Sequence, residues 1–173
     1  MRIRPGQPSD VPSIARVYVD SWKTTYQGLV PELFLKGMTF DFALKIFMES
    51  FEDKAHSYQV LVAETPEGKM VGYADFGRER SHPESGEGEL YGIYLLKEFQ
   101  KQGIGGELFE RARQKTAEAG LKPLVVWVLE KSPYRKFYEK TGGKLRSGIK
   151  TLGPAGSQVQ LVCYAWDITN ITN

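Results

Sequence analysis

Residues 100–106, Gln-Lys-Gln-Gly-Ile-Gly-Gly, put three glycines (Gly103, Gly105 and Gly106) into four positions at the mouth of an amphipathic helix. The first turn of a helix carries backbone N–H groups with no intrahelical partner. Those groups form the positive end of the helix dipole, and glycine lets a ligand approach them with no Cβ in the way. A β-prone run, Leu90 to Leu96, leads into this turn. Strand, glycine turn and helix together are a phosphate-binding arrangement. A tight turn that packs a helix on a sheet explains the same glycines equally well. The dinucleotide fingerprint G-x-G-x-x-G fails, because Leu108 stands at its third position. The P-loop fails as well: Gly142-Gly143-Lys144 has Tyr138 where the first glycine belongs.

Other reactive side chains are few. Cys163 is the sole cysteine, so no internal disulfide forms. It is a formal candidate for an acyl-cysteine route. It lies in a β-run, VQLVCYAW, with no histidine nearby, and reads as a buried structural thiol. The two histidines, His56 and His82, are too scattered for a zinc site of ordinary ligand spacing, and no metal is expected. Bases gather locally at Lys101, Lys131, Arg135, Lys136 and Lys140, yet the net charge is only +2. That balance argues against a dedicated nucleic-acid binder.

The 173 residues are 41% hydrophobic and 25% charged. That length fits one domain, residues 1–173, with a core large enough to need no disulfide or metal. No apolar run reaches membrane-spanning length. The opening MRIRPGQPSD lacks the apolar stretch of a signal peptide, so a cytoplasmic protein is expected.

The elements that must position these residues follow from periodicity. Residues 2–5 read as a short strand. Ser9 or Asp10 is the expected cap of a first helix, with Pro12 in its first turn. Ile14, Tyr18, Trp22 and Tyr26 recur every four residues along it. A second helix is expected over 39–51, with Phe42, Ile46 and Met48 as its apolar members. From Gln59 the period shortens to two, in QVLVAET and KMVGYADFGRER around a Pro-Glu-Gly-Lys turn. After the glycine turn comes a helix over 103–119, closed by Gly120. The apolar run LKPLVVWVLE reads as a central strand covered on both faces. A short helix over SPYRKFYEKTGG and an antiparallel pair, KLRSGIKTLG and SQVQLVCYAWDIT, finish the chain. The fold class is α/β: a mixed, mostly antiparallel sheet of six to seven strands flanked by helices, with one β-α-β crossover.

Gln100-x-x-Gly103-x-Gly105 after a strand ending Ile-Tyr-Leu resembles the acetyl-CoA binding motif of the GNAT superfamily of N-acetyltransferases. MVGYADFGRER is similar to that family's third strand, and VVWVLEKSPYRKFYEKTGGK to its fifth strand and following helix. The resemblance spans nearly the whole chain. It implies the acyl-CoA N-acyltransferase fold, acetyl-CoA as acyl donor, and direct transfer of acetyl to a primary amine on a small molecule or a peptide. It implies that backbone groups of Ile93, Tyr94 and Leu95 receive the pantetheine arm, and that Leu95 N–H polarises the acetyl carbonyl. Backbone N–H groups of Lys101, Gln102, Gly103, Ile104, Gly105 and Gly106 would hold the pyrophosphate. The resemblance also implies that Lys101, and Arg135 or Lys136, meet the outer phosphates. Three departures stand out: Lys97 where proline is common, Ser132 where asparagine supplies an amide contact to the cofactor that the Ser132 hydroxyl must replace or that is lost, and Gly143 where a phenylalanine ring packs.

Acetyl transfer needs a neutral amine, a polarised thioester carbonyl and a proton for the departing thiolate. By resemblance, Glu89 is the candidate base, on the same face as Ile93 unless a bulge intervenes. Tyr138, in Phe137-Tyr138, is the candidate acid. Trp22 and Tyr26 are expected to wall the acceptor site, with Tyr18 in the core and acids such as Glu32 nearby. A second copy of the chain is a candidate partner; nucleic acid and membrane are not. The alternative from another class is a non-catalytic acyl-CoA-binding module that regulates a partner.

Overall fold

The alternation that begins at Gln59 becomes a hairpin, β2 (Gln59–Glu64) and β3 (Met70–Arg78), closed by a turn with Gly68 at φ 84°. β1 (Arg2–Pro5) pairs on its outer side, and β4 (Gly88–Leu95) antiparallel on the other. β5 (Leu124–Leu129) runs parallel to β4. β7 (Val159–Trp166) and β6 (Lys144–Leu152) complete an antiparallel edge. The computed structural model describes residues 1–153 and 158–169, so Ser157, at the start of the last expected run, lies outside them. The seven strands lie in the order β1-β2-β3-β4-β5-β7-β6, which matches the expected mixed sheet.

Helices cover both faces. α1 (Val11–Thr25) and α3 (Phe40–Glu52) bury Ile14, Ala15, Val17, Ala43 and Phe47 against Val60, Val62 and Tyr73. α4 (Ile104–Glu118) buries Leu108, Phe109 and Ala112 on the opposite face, against Leu61, Ala74, Phe76 and Leu90. Successive strand residues point to opposite faces, so β2 supplies Val60 and Val62 to one core and Leu61 and Ala63 to the other. Full burial of each such side chain stabilises the fold by about 1.5–3 kcal/mol. α5 (Arg135–Lys140) joins the α4 side through Tyr138 and Phe137.

Several local expectations need correction. α1 has no side-chain cap; Asp10 instead pairs with the Arg4 guanidinium at 2.7 Å and accepts from the Gln7 N–H at 2.8 Å. A further short helix, α2 (Glu32–Gly37), follows Pro31. In α3 the buried residues are Ala43 and Phe47, while Phe42 and Met48 face solvent. β5 is central but not sealed on both faces, since Trp127 and Leu129 are only half-buried.

The irregularity that matters most is in β4. Asp75 of β3 faces Gly92, but its neighbour Phe76 faces Leu90, so Tyr91 is an extra, unmatched residue. Such a bulge bends its strand and increases the local twist. The parallel ladder with β5 ends at the same place, at Leu90 opposite Val126. Beyond it β4 and β5 part.

Candidate active site

The gap between the two strands opens a cleft of about 580 Å³, lined by residues of α1, α3, β3, β4, β5, α5 and the loops around them. Leu96 N–H donates to Val71 O at 2.9 Å, on the far side of β4. Hydrogen bonding alternates along an antiparallel pair. The pairs Leu95–Gly72 and Ile93–Ala74 are then the open ones, and the backbone groups of Ile93 and Leu95 point away from β3, toward the gap. One of those groups is engaged: Leu95 O accepts from Ser21 Oγ at 3.2 Å and from Gln100 Nε2 at 3.1 Å. Gln100 also accepts from the Tyr134 hydroxyl at 3.3 Å, so it ties the end of β4 to the turn before α5.

At the mouth of α4 the chain turns through Lys101 at φ 61° and Gly103 at φ 87°. Gly103 is therefore required by backbone conformation. Gly105 packs ordinarily: a Cβ there would lie 3.5 Å from Leu95 and 3.8 Å from Phe137. A Cβ on Gly106 would meet nothing of the protein within 4 Å. Neither packing nor conformation asks for that glycine, and the space above it is open. Lys101 in this turn and Lys136 in α5 are exposed. Arg135 is not free for a phosphate, because it donates to the Tyr164 hydroxyl at 3.0 Å and to Glu130 O at 2.9 Å. Ser132 is buried, and its Oγ accepts from Tyr134 N–H at 3.2 Å, so it braces the turn.

Gly143 has a structural explanation. A Cβ there would stand 2.5 Å from the Trp166 ring and 2.8 Å from Tyr138 O. Trp166 packs on Phe109, with ring centroids 5.0 Å apart, and donates to Thr141 O at 2.9 Å. The ring that resemblance places at 143 is thus supplied from β7.

Tyr138 is buried in the α4-side core and still reaches the cleft wall. Burial pushes its phenol above the ordinary tyrosine range, so it is held protonated. Trp22 and Tyr26 both line the cleft, their rings 4.3 Å apart. Tyr18 serves the core and the cleft together, wedged between Phe47 and Tyr94. Tyr94 packs on Tyr73 and fills the space a Gly92 side chain would need. Glu32 is no part of the cleft; it is exposed on α2 and pairs with Lys36 at 3.0 Å. Cys163 is buried, and burial pushes its thiol up to about 11, so it is a poor nucleophile.

The placement expected of Glu89 needs correction. Leu90 and Ile93 share the α4-side core, which the extra residue Tyr91 makes geometrically consistent. Glu89, adjacent to Leu90, therefore faces the other way from Ile93. It is 1% exposed, and its carboxylate accepts from Arg80 N–H at 2.9 Å, Nε at 3.2 Å and Nη2 at 2.5 Å. Both oxygens are used.

Sequence reasoning missed Asp75. It is buried, it lines the cleft, and its Oδ1 has no hydrogen-bond partner. Burial, together with the nearby Glu89 charge, pushes its carboxyl up to about 7 against the opposing pull of Arg80. A signal was present: aspartate is depleted in strands, and this one stands inside the apolar run VGYADF. Among the described residues, the buried side-chain polar atoms without a partner are Trp22 Nε1, Tyr58 Oη, Tyr73 Oη, Asp75 Oδ1 and Trp127 Nε1. All five residues line this one cleft. Buried polar groups are paired in the great majority of cases, so a cluster of unpaired ones in a cavity makes this cleft the candidate ligand site.

Comparison with known proteins gives the family and the same fold. The family model described as an acetyltransferase (GNAT) domain matches residues 56–142. The uncharacterised N-acetyltransferase YuaI of Bacillus subtilis is 37% identical over 140 residues, covering 79% of this chain and 76% of its own. YncA of Salmonella typhimurium, solved with its cofactor acetyl-CoA, superimposes with a TM-score of 0.74 at 19% identity, covering 100% of this chain and 96% of that one. The PaiA N-acetyltransferase of Thermoplasma acidophilum, in complex with coenzyme A, gives a TM-score of 0.65 at 20% identity over 93% of this chain and 96% of that one.

Proposed function

The chain belongs to the GNAT acetyltransferase family and is an acetyl-CoA-dependent N-acetyltransferase, and we propose that its acceptor is a primary amine that enters the aromatic cleft and takes the acetyl group directly. The observation that carries the acceptor reading is the cluster of unpartnered polar atoms on the α1 and α3 side of the cleft. The acyl donor would approach the other flank, along the open edge of Ile93, Tyr94 and Leu95. Its pyrophosphate would meet the backbone of 101–106, where Gly103 and Gly106 leave free space.

In this reading the chain's own groups divide the work. Leu95 and its neighbours align the thioester along β4, with Leu95 N–H directed at the carbonyl oxygen. Tyr138, inserted between Phe137 and Trp166, holds a proton where β4 and β5 separate. It gives that proton to sulfur as the carbon–sulfur bond breaks. Trp22 and Tyr26 hold the acceptor's body.

A thiol-release assay with acetyl-CoA against monoamines, polyamines, amino acids and peptides tests the proposal. The expected result is amine-dependent release of free thiol and formation of the acetamide. Tight coenzyme A binding with no release across the panel would instead make the protein an acyl-CoA-binding module.

A further inference from the structure

Glu89 and Asp75 lie on neighbouring strands and face the same side of the sheet, yet they are in opposite states. Glu89 is closed by Arg80 and does not line the cleft. Asp75 lines the cleft and presents an oxygen with no partner. Its cross-strand neighbour is Gly92, which lies beside Ile93 on the open edge of β4. Asp75 lines the same cleft as Ile93, Tyr94 and Tyr138, and its charge is felt at the Tyr138 phenol, so it faces the space that the edge expected to hold the acyl donor also borders.

The walls around Asp75 are aromatic. Tyr58 and Tyr91 stack with centroids 6.2 Å apart on one side, and Trp22 and Tyr18 stand on the other. The remaining charges of the cleft are already paired: Arg80 with Glu89, and Asp53 with His56 at 2.5 Å. With the Tyr58 hydroxyl beside its carboxylate and Oδ1 still without a partner, Asp75 in this aromatic cage recognises one ammonium, through charge and cation–π attraction. Among the described residues of the lining no second unpaired acid stands ready for a further charge, which favours an acceptor with a single ammonium over a polyamine or a basic peptide.

Resting on the transfer reading above, we infer that Asp75 receives the acceptor amine and takes its proton, and that the acceptor is a small primary monoamine with an apolar, aromatic body. The ammonium gives one proton to the Asp75 carboxylate. The freed nitrogen lone pair forms the bond to the acetyl carbon, and the carbon–sulfur pair leaves with sulfur. Sulfur takes the Tyr138 proton, and the proton shed by the amide nitrogen restores Tyr138. Asp75 then releases its proton to water, so the net products are acetamide, free thiol and one proton.

The groups that set the titration of Asp75 come from every neighbouring element. Tyr73 precedes it on β3, Tyr58 approaches from before β2, and Tyr18 comes from α1. Tyr91, Tyr94 and Glu89 face it from β4, Arg80 from the loop after β3, and Tyr138 from α5. Desolvation by this ring of phenols is the dominant effect, and it keeps the carboxyl basic enough to accept a proton.

The test uses the full chain, acetyl-CoA and phenethylamine, with spermidine and a lysyl peptide as competitors, across the neutral pH range. Wild type should prefer phenethylamine in kcat/KM, with a rising limb whose midpoint lies near neutrality. Asp75→Asn should lose about tenfold or more at neutral pH, lose that limb, and recover in part at alkaline pH as the free amine deprotonates. Glu89→Gln should keep the limb. Calorimetry without acetyl-CoA gives a second readout: phenethylamine binding should weaken in Asp75→Asn while coenzyme A binding holds. An Asp75→Asn profile parallel to wild type would overturn the proton role. Preference for spermidine or the peptide would overturn the monoamine. No thiol release with any amine would overturn the transfer reading itself, and this inference with it.

Discussion

Tyr138 is where a single hydroxyl decides most. It is buried among Phe137, Tyr164 and Trp166, so Tyr138→Phe keeps the ring contacts and should leave the melting temperature nearly unchanged. Turnover should fall by about 10²-fold or more if the phenol protonates sulfur. The loss should shrink with a more acidic thioester leaving group, and an equal loss with every leaving group would make Tyr138 a packing residue. Asp75 makes a different prediction, on stability. Its carboxyl is raised from 3.8 to about 7 in the folded chain, so between those values the native state binds the proton and the unfolded state does not. Stability attributable to this group is full in acid and is lost as pH rises through that window, by roughly 4 kcal/mol at most. Asp75→Asn should therefore melt higher than wild type above neutrality and close to it in acid. Equal pH dependence of the two melting curves would show that the carboxyl titrates normally.

At the scale of elements, the junction of α5, β6 and β7 tests how the acid is held. Trp166 from β7 occupies the space beside Gly143, between Phe109 and Tyr138. Gly143→Ala would press a methyl into that ring and into Tyr138 O, both under 3.0 Å away. Such overpacking typically costs about 1–3 kcal/mol. Thermal melts should show the loss, and turnover should fall as well, because relief requires Trp166 or the Tyr138 backbone to move. An unchanged melt would mean that the junction yields freely. The Tyr91 bulge acts at the same scale. It turns Glu89 away from the Ile93 face, and the strand pairing fails immediately past it, so one extra residue accompanies both the closed Glu89–Arg80 pair and the opened cleft.

Across the whole molecule, two cores on opposite faces of one sheet meet at the splayed strands. A ligand bridging β4, α4 and β5 would tie them together. Coenzyme A at about a hundred times its Kd should stabilise the fold by about 2.7 kcal/mol. For a chain of this size that is a rise in melting temperature of roughly 5–10 °C; no rise under saturating coenzyme A would remove the donor site from 101–106. Much of this was legible from sequence because it depends on neighbours along the chain. Period-two alternation set β2 and β3, the glycine turn set the start of α4, and Gln100-x-x-Gly103-x-Gly105 with Phe137-Tyr138 carried the family. The four-residue stripe put Trp22 on the first helix beside Tyr18, while the expectation that Trp22 and Tyr26 face the acceptor came from the family resemblance. What the chain could not disclose depends on distant partners. Glu89 and Asp75 are two acids in similar strands, and nothing local tells which one Arg80 will close. That choice rests on the β3–β4 register, and one unmatched residue reverses every face beyond it. Local periodicity thus determined most of the elements and a short local motif carried the family, whereas only the packed sheet decided which carboxylate stays open to the cleft.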